Sequence, residues 1–358
     1  MLSKIDKYIL KNFLGTFIFL LGAFSLIAIV IDFTEKINDF VDRKVPILQI
    51  LNYFKNFIPY ILALLFPIFI FVAVIFFTSR LANRSEIIAM LSSGMSFKRL
   101  MRPYIIGSAI ISSILLIANH FVIPQANKSR LIFEEKYIWE HFYAVDNNFH
   151  IRISPDEYIY MQSYNVESKT GFRFSYEKLK NEMIVEKINA DRCQYDSVQK
   201  KWILTEAIVR NLDDIHETMK KLPIYERSFP FKPSDLVEKR EAKQMMTSPQ
   251  ILNYIEKERQ KGSQNLNEYL IEYHRRTSAP FSAFVLSIIG ACIASQKVRG
   301  GSGIHLAVGL MISAFYILIM QFSTMFSLKG NLPPLLAVWI PNFLFGLLAI
   351  VIYKRYSK

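Results

Sequence analysis

The stretch Asn83-Arg84-Ser85-Glu86-Ile87-Ile88-Ala89-Met90-Leu91-Ser92-Ser93-Gly94 carries the most pointed side-chain chemistry in the chain. One carboxylate, Glu86, follows Arg84 and Ser85 at the head of a short run in which Ile87, Met90 and Leu91 recur at i, i+3 and i+4. Asn83 can cap a helix here, Glu86 then falls at its third position, and Gly94 can adopt the left-handed conformation that ends it. A short, capped, amphipathic helix between two apolar stretches suits docking into a groove on a cytoplasmic partner. The same residues also fit a plain capping box, Glu86 reaching back to the Asn83 N–H, with the apolar face resting on lipid headgroups.

A second charged constellation is Asp32-Phe33-Thr34-Glu35-Lys36. Lys36 can meet the phosphates of an anionic lipid headgroup, with Asp32 and Glu35 tuning that attraction; interfacial anchoring explains the same residues. No catalytic residue, metal site or cofactor is expected. The chain lacks a G-x-x-x-x-G-K-[ST] loop to hold ATP. His216-Glu217 begins like a zinc motif without the second histidine, and the 6 histidines are scattered. Gly300-Gly301-Ser302-Gly303 reads as a tight turn, and Pro341-Asn342 as a kink in an apolar helix.

These residues sit among long apolar stretches. The 358 residues are 52% apolar and include 29 Phe, with a mean hydropathy of +0.22. A ~30 Å hydrocarbon core needs about 20 apolar residues to cross. Phe13–Ile31, Phe57–Phe77 and Tyr104–Ile123 meet that requirement before a long polar block. Pro280–Ala294, Ile304–Phe326 and Leu335–Ile352 follow it. Six transmembrane helices are expected, arranged three, polar domain, three. The first run is too long for a signal peptide and lacks a small-x-small cleavage site, so it reads as a retained helix. The resulting layout is residues 1–123 with three spans, 124–277 as the inserted domain, and 278–358 with three more.

The charge distribution supports this layout. Val122 to Thr277 holds 25 Lys+Arg and 24 Asp+Glu, so 12 of the 13 net positive charges flank apolar stretches. That is a membrane protein's pattern, not a nucleic-acid binder's basic face. With the N-terminus inside, the inner segments carry Lys4, Lys7, Lys11, Arg80, Arg84, Lys98, Arg99, Arg102, Lys297, Arg299, Lys354, Arg355 and Lys358 against only Asp6 and Glu86. The short outer loops are nearly balanced. Both termini are therefore expected in the cytoplasm and the polar block outside. Cys193 and Cys292 fall at different membrane depths and read as ordinary small side chains.

From Asn148 to Phe229 the polar block alternates like a set of strands. Phe149–Ile153, Tyr158–Met161, Phe172–Tyr176, Met183–Ile188 and Trp202–Val209 suggest a sandwich or jelly-roll sheet. Phe149, Tyr158, Tyr160, Phe172 and Phe174 are candidates to line its inner face, which is either an ordinary core or an open surface for a ligand or strand. Pro124–His141 reads as a charged helical extension of the third span. Ser248–Gln260 and Leu266–Arg276 read as two amphipathic helices leading back to the bilayer.

The chain resembles the lipopolysaccharide export permeases LptF/LptG nearly end to end. Ile5-Asp6-Lys7-Tyr8-Ile9-Leu10-Lys11 resembles the family's opening. Arg84-Ser85-Glu86, the apolar turn after it and Ser93-Gly94 are similar to its coupling-helix signature. His120-Phe121-Val122-Ile123-Pro124-Gln125 resembles the exit of span three, and Leu332-Pro333-Pro334 with Trp339-Ile340-Pro341-Asn342 the start of span six. The resemblance implies an α-helical membrane permease with a periplasmic β-jelly-roll-like domain between spans three and four, resident in the inner membrane of a Gram-negative cell. It implies a heterodimer with a second permease subunit, served by a dimeric cytoplasmic ATPase. Lipopolysaccharide would enter between spans one and five of the two subunits and pass to a bitopic adaptor and a periplasmic bridge with jelly-roll folds. Glu86 would meet a basic side chain of the ATPase, while Ile87, Met90 and Leu91 fill its groove. The family places basic side chains at the outer end of span one toward lipid phosphates. Here Asp32 and Glu35 share that turn with Lys36, which points to a headgroup with fewer phosphates or to other contacts. A permease for another lipid or lipoprotein, and a membrane scaffold or sensor without any ATPase, are the competing readings.

Overall fold

The computed structural model describes residues 3–138, 149–154, 156–165, 168–180, 183–196, 199, 201–213, 216–231, 242–260, 266–298 and 302–356. Two compact units result. Met1–Ile138, Lys243–Leu252 and Asn267–Lys358 form the first, and Trp139–Ala242 with Asn253–Leu266 the second.

The first unit is helical because lipid leaves an unpaired backbone no alternative partner. Its helices are α1 (Lys4–Asp42), α2 (Ile47–Leu64), α3 (Phe66–Asn83), the short α4 (Glu86–Ser92), α5 (Phe97–Ile117) and α6 (Ile123–Tyr137). After the sheet come α7 (Ala242–Met245), α8 (Ser248–Gln260), α9 (Leu266–Ala294), α10 (Ser302–Lys329) and α11 (Pro334–Tyr356). A capping box starts α1: Asp6 N–H donates to Ser3 Oγ at 3.2 Å and Ser3 N–H to Asp6 Oδ2 at 2.8 Å. The polar turn at Asp32–Glu35 does not end this helix, which runs 39 residues. At 1.5 Å per residue that is about 58 Å, well beyond a hydrocarbon core.

Among the described residues, seven helices are long and apolar enough to cross a bilayer, where six stretches were expected. The extra one arises because Phe57–Phe77 is divided at Leu65 between α2 and α3. Pro67 has no N–H for the Ala63 carbonyl, so the helix stops and restarts. Pro124 acts differently. A π turn, Ala118–Val122, absorbs it, and α5 continues through that turn into α6. The sequence boundary at 123 thus falls inside one long helix. That at 277 also lies within a helix, since Leu266–Arg276 and the fourth span join as the 29-residue α9. Two prolines inside helices have their orphaned carbonyls satisfied from elsewhere. Asn119 Nδ2 donates to Arg276 O, four residues before Pro280, at 3.2 Å. Ser323 Oγ donates to Ala337 O, four before Pro341. The kink expected at Pro341-Asn342 also holds a buried junction: Tyr316 Oη donates to Asn342 Oδ1 at 3.0 Å, and Asn342 Nδ2 to Ser278 O at 2.8 Å.

The second unit contains a six-stranded antiparallel sheet of β1 (Phe149–Ser154), β2 (Glu157–Asn165), β3 (Thr170–Lys180), β4 (Met183–Asp196), β5 (Lys201–Asp213) and β6 (His216–Arg227). Strand order follows the sequence, β1 to β6. The described strands are therefore one meander, where a sandwich or jelly roll was expected, because short hairpin connections pair each strand with the next. β6 includes His216-Glu217. Its Lys220, Lys221 and Pro223 suit a strand at a sheet edge.

One face carries the core: Met161, Tyr164, Phe174, Tyr176, Ile188, Cys193, Trp202 and Leu204, with Phe229 and Phe231 packed across them. Trp202 stacks on Phe231 at 4.6 Å and donates Nε1–H to its carbonyl at 3.2 Å. This face is an ordinary packed core. Of the aromatics expected there, Phe174 is buried, Tyr160 is half-buried, and Tyr158 and Phe172 are exposed. The Phe149 side chain lies outside the described residues.

Tyr158 and Tyr160 alternate with the buried Ile159 and Met161, and the place of Phe172 follows from a break in the sheet. A row of unpaired positions crosses the sheet at Gln162, Arg173, Asp191, Glu206 and Pro223. Arg173 and Glu206 there have φ of +51° and +54°. Across this crease the alternation changes phase, so buried neighbours are three residues apart: Met161 and Tyr164, Gly171 and Phe174, Ala190 and Cys193, Leu204 and Ala207. Gly171 sits at the tightest point. A Cβ there would lie 2.6 Å from Cys193 Sγ and 2.7 Å from Met161 Sδ.

Burial pushes the Cys193 thiol up to about 12, so thiolate is scarce near neutral pH and the folded sheet protects it. We expect Cys193 to resist maleimide at pH 7 in the native protein and to react when Gly171→Val forces the strands apart. Labelling followed by peptide mass analysis checks this; equal protection in both proteins would contradict the packing described.

Candidate functional site

Two polar sites stand out in the helical unit, one at each end of α1. At the first, α3 ends in the turn that leads to α4. Ser85 adopts a left-handed conformation, φ +59°, and α4 begins at Glu86. Asn83 is still the last residue of α3, so it is not the cap, and the capping box expected with Glu86 does not form. Glu86 is instead held from α1. Tyr8 Oη donates to Glu86 Oε2 at 3.1 Å, and Arg84 Nη1 stands 3.9 Å from Oε1. Lys297 Nζ donates to Ser85 Oγ at 3.4 Å. Gly94 ends the turn at φ +89°, as its position suggested.

The apolar face of α4 divides in two. Ile87 is 1% exposed and belongs to the chain's own core, with Met90 packed beside it. Leu91 faces outward at 36%, and so does Ile88 at 51%. Ile87 is thus spent on holding α4 to the bundle. Ile88, which spacing did not single out, shares the outward surface with Leu91.

At the other end of α1, Asp32 and Lys36 face α2 and α6, while Glu35 is exposed. Lys36 Nζ lies 2.7 Å from Asp32 Oδ1 and 3.1 Å from Glu134 Oε1. It also donates to Tyr53 Oη. The Tyr53 hydroxyl is 2.9 Å from Asp32 Oδ2 and 3.0 Å from Glu134 Oε1. On α6, Arg130 Nη1 reaches both Glu134 oxygens at 3.0 Å and its Nε donates to Asn127 Oδ1 at 2.8 Å. Asn127 Nδ2 then donates to Gln244 Oε1 at 3.1 Å.

The side chains of Lys36, Asp32, Arg130 and Glu134 are only 14%, 12%, 9% and 5% exposed. Two acids balance two bases, as burial demands. Phe40, Phe54, Phe57 and Phe133 surround them, and the Arg130 guanidinium lies 4.1 Å from the Tyr60 ring centre. Arg130 and Glu134 belong to the charged extension that the sequence indicated. Tyr53 gave no signal, since its partners lie 21 and 81 residues away.

At one site a hydroxyl of α1 holds the acid that begins α4, and at the other paired charges hold the end of α1. The family model described as lipopolysaccharide export system permease LptF/LptG matches residues 7–355, nearly the whole chain. The chain belongs to the LptF/LptG family. No curated protein matches it. As a member of the LptF/LptG family it is a multi-pass inner-membrane permease of lipopolysaccharide export, and its long apolar helices agree with that. In this LptF/LptG chain the C-terminal end of α1 is internally neutralised, and α4 presents one tethered acid beside two exposed aliphatic side chains.

Removing one member of a buried ion pair strands the other. We expect Arg130→Met to cost about 3–5 kcal/mol of stability and Tyr53→Phe about 1–2 kcal/mol, read by thermal unfolding in mild detergent. An Arg130→Met protein as stable as wild type would show that the charges are solvated rather than paired.

Proposed function

We propose that this chain is one half of a heterodimeric, ATP-driven exporter. It takes lipopolysaccharide from the inner membrane and passes it, through its own sheet and those of an adaptor and a bridge protein, toward the outer membrane. The observation that carries the reading is the α4 turn. Glu86 is anchored by Tyr8 on α1, and Ile88 and Leu91 stand free beside it, so a force applied at α4 is transmitted to α1. The sequence has no nucleotide loop of its own, so a cytoplasmic ATPase dimer supplies the energy, meeting Glu86 with a basic side chain and seating Ile88 and Leu91 in its groove.

The membrane topology follows from the charge bias and from α2. Tyr53 of α2 bonds side chains on the outer extension of α1 and on α6 beyond the π turn. That supports an α2 lying level with the membrane's outer face, with α2 and α3 together making a single return crossing. On this reading there are six crossings, with both termini and α4 cytoplasmic, where Lys and Arg are concentrated, and residues 124–277 periplasmic.

Truncating one partner of a charge pair at an interface costs about 2–5 kcal/mol, so Glu86→Ala should weaken ATPase association roughly thirtyfold or more. Co-purification of the membrane complex, with ATPase and lipopolysaccharide quantified, checks this. Ile88→Ser should weaken association without unfolding the chain, because its side chain is exposed. A wild-type chain that comes down with its second permease but no ATPase would contradict the reading.

A further inference from the structure

We propose that Lys36 is a positioning residue: with Asp32, Tyr53, Glu134 and Arg130 it forms a clasp that holds the outer half of α1 against α6 and opens in each transport cycle. The inference rests on the export reading above. It departs from headgroup binding because the Lys36 ammonium is already engaged by Asp32, Glu134 and Tyr53.

The packing of α1 makes the clasp necessary. The helix buries Ile9, Phe13 and Phe17 near its inner end and Asp32 and Phe40 near its outer end. Between them, from residue 18 to residue 31, no residue is buried, and Ile18, Phe19, Leu26, Ile27, Val30 and Ile31 are exposed. Such a helix is pinned firmly near its two ends and only lightly between them, where Leu20, Leu21 and Phe24 rest half-exposed against the core. Its outer pin belongs to an aromatic cluster separate from the main core of the bundle. Releasing that pin lets α1 swing about its inner one.

The charge arrangement makes release reversible. Asp32 and Lys36 are an i,i+4 pair on α1, and Arg130 and Glu134 are an i,i+4 pair on α6. When the helices part, each takes away a complete, neutral pair. Parting them breaks the Lys36–Glu134 bond and the bonds relayed by Tyr53. A bridge built from one lone acid and one lone base would leave two unpaired charges at the membrane edge.

The Phe40 and Phe133 rings lie 6.1 Å apart on the two sides of the clasp. Phe40→Cys with Phe133→Cys, bridged in the full complex by a short reducible bis-methanethiosulfonate linker that spans the space the two rings filled, should lock α1 to α6. Locked complex is expected to keep its ATPase and lipopolysaccharide but export at least tenfold more slowly, and to recover on reduction. Export at the unlocked rate would overturn the proposal. A second comparison separates a clasp from a ligand. Lys36→Met and Glu134→Gln each break the bond between α1 and α6 and should each slow export, while the double variant should be little worse than either single one. Losses that simply add would assign Lys36 to the lipid and overturn the clasp. Absence of ATP-dependent export from the wild type would overturn the export reading, and the clasp with it.

Discussion

The polar joints of the helical unit answer to one constraint: inside or beside a bilayer, a polar group does best to find its partner within the protein. The constraint explains why the prolines of α9 and α11 are tolerated. Each leaves a carbonyl bare, and Asn119 and Ser323 reach over from other helices to fill the vacancies. Asn342 joins Tyr316 to Ser278 for the same reason. Ser108 and Ser287 pair their hydroxyls at 2.7 Å across α5 and α9. These are modest bonds, on the order of 0.6–2 kcal/mol each in membranes, but each fixes a register between helices that greasy surfaces alone would leave free to slide.

The same constraint turns the charges on α1 into mechanical parts. Helix α1 has two handles, one near each end. Tyr8 ties the N-terminal handle to the half-buried Glu86 of α4. The buried, balanced pair Asp32–Lys36, with Tyr53, ties the C-terminal handle to α2 and α6. Between the handles the helix presents aliphatic side chains to whatever lies beside it. On the proposed reading, an energy source at the α4 end and a lipid path along the middle communicate through one rigid rod, without any charge having to be exposed to hydrocarbon.

Much of this was legible in the residues, and the exceptions share a cause. Long apolar stretches mark helices because about 20 residues are needed to cross, and alternation marked five of six strands. β6 escaped because its Lys220, Lys221 and Pro223 are edge chemistry that hides a strand's usual pattern. Phe172 was placed on the wrong face because the crease at Arg173 shifts the period, and a positive φ at an arginine leaves no sequence trace. α4 is visible as a capped turn, but spacing points to Asn83 as its cap because it cannot show that α3 extends that far. The clasp was half visible. Asp32 and Lys36 are four apart and read as a pair, whereas Glu134 is 98 residues from Lys36, a separation that only the tertiary fold closes.

The central claim is that this chain converts ATP hydrolysis by a partner into lipopolysaccharide movement. Its most direct test is a reconstitution in proteoliposomes of this chain, the second permease and the ATPase, with the periplasmic adaptor and bridge proteins supplied outside. Lipopolysaccharide transferred to the bridge is followed by photo-crosslinking over time. The account predicts transfer that requires ATP and disappears when this chain is omitted. Transfer that proceeds equally without nucleotide, or without this chain, would contradict it.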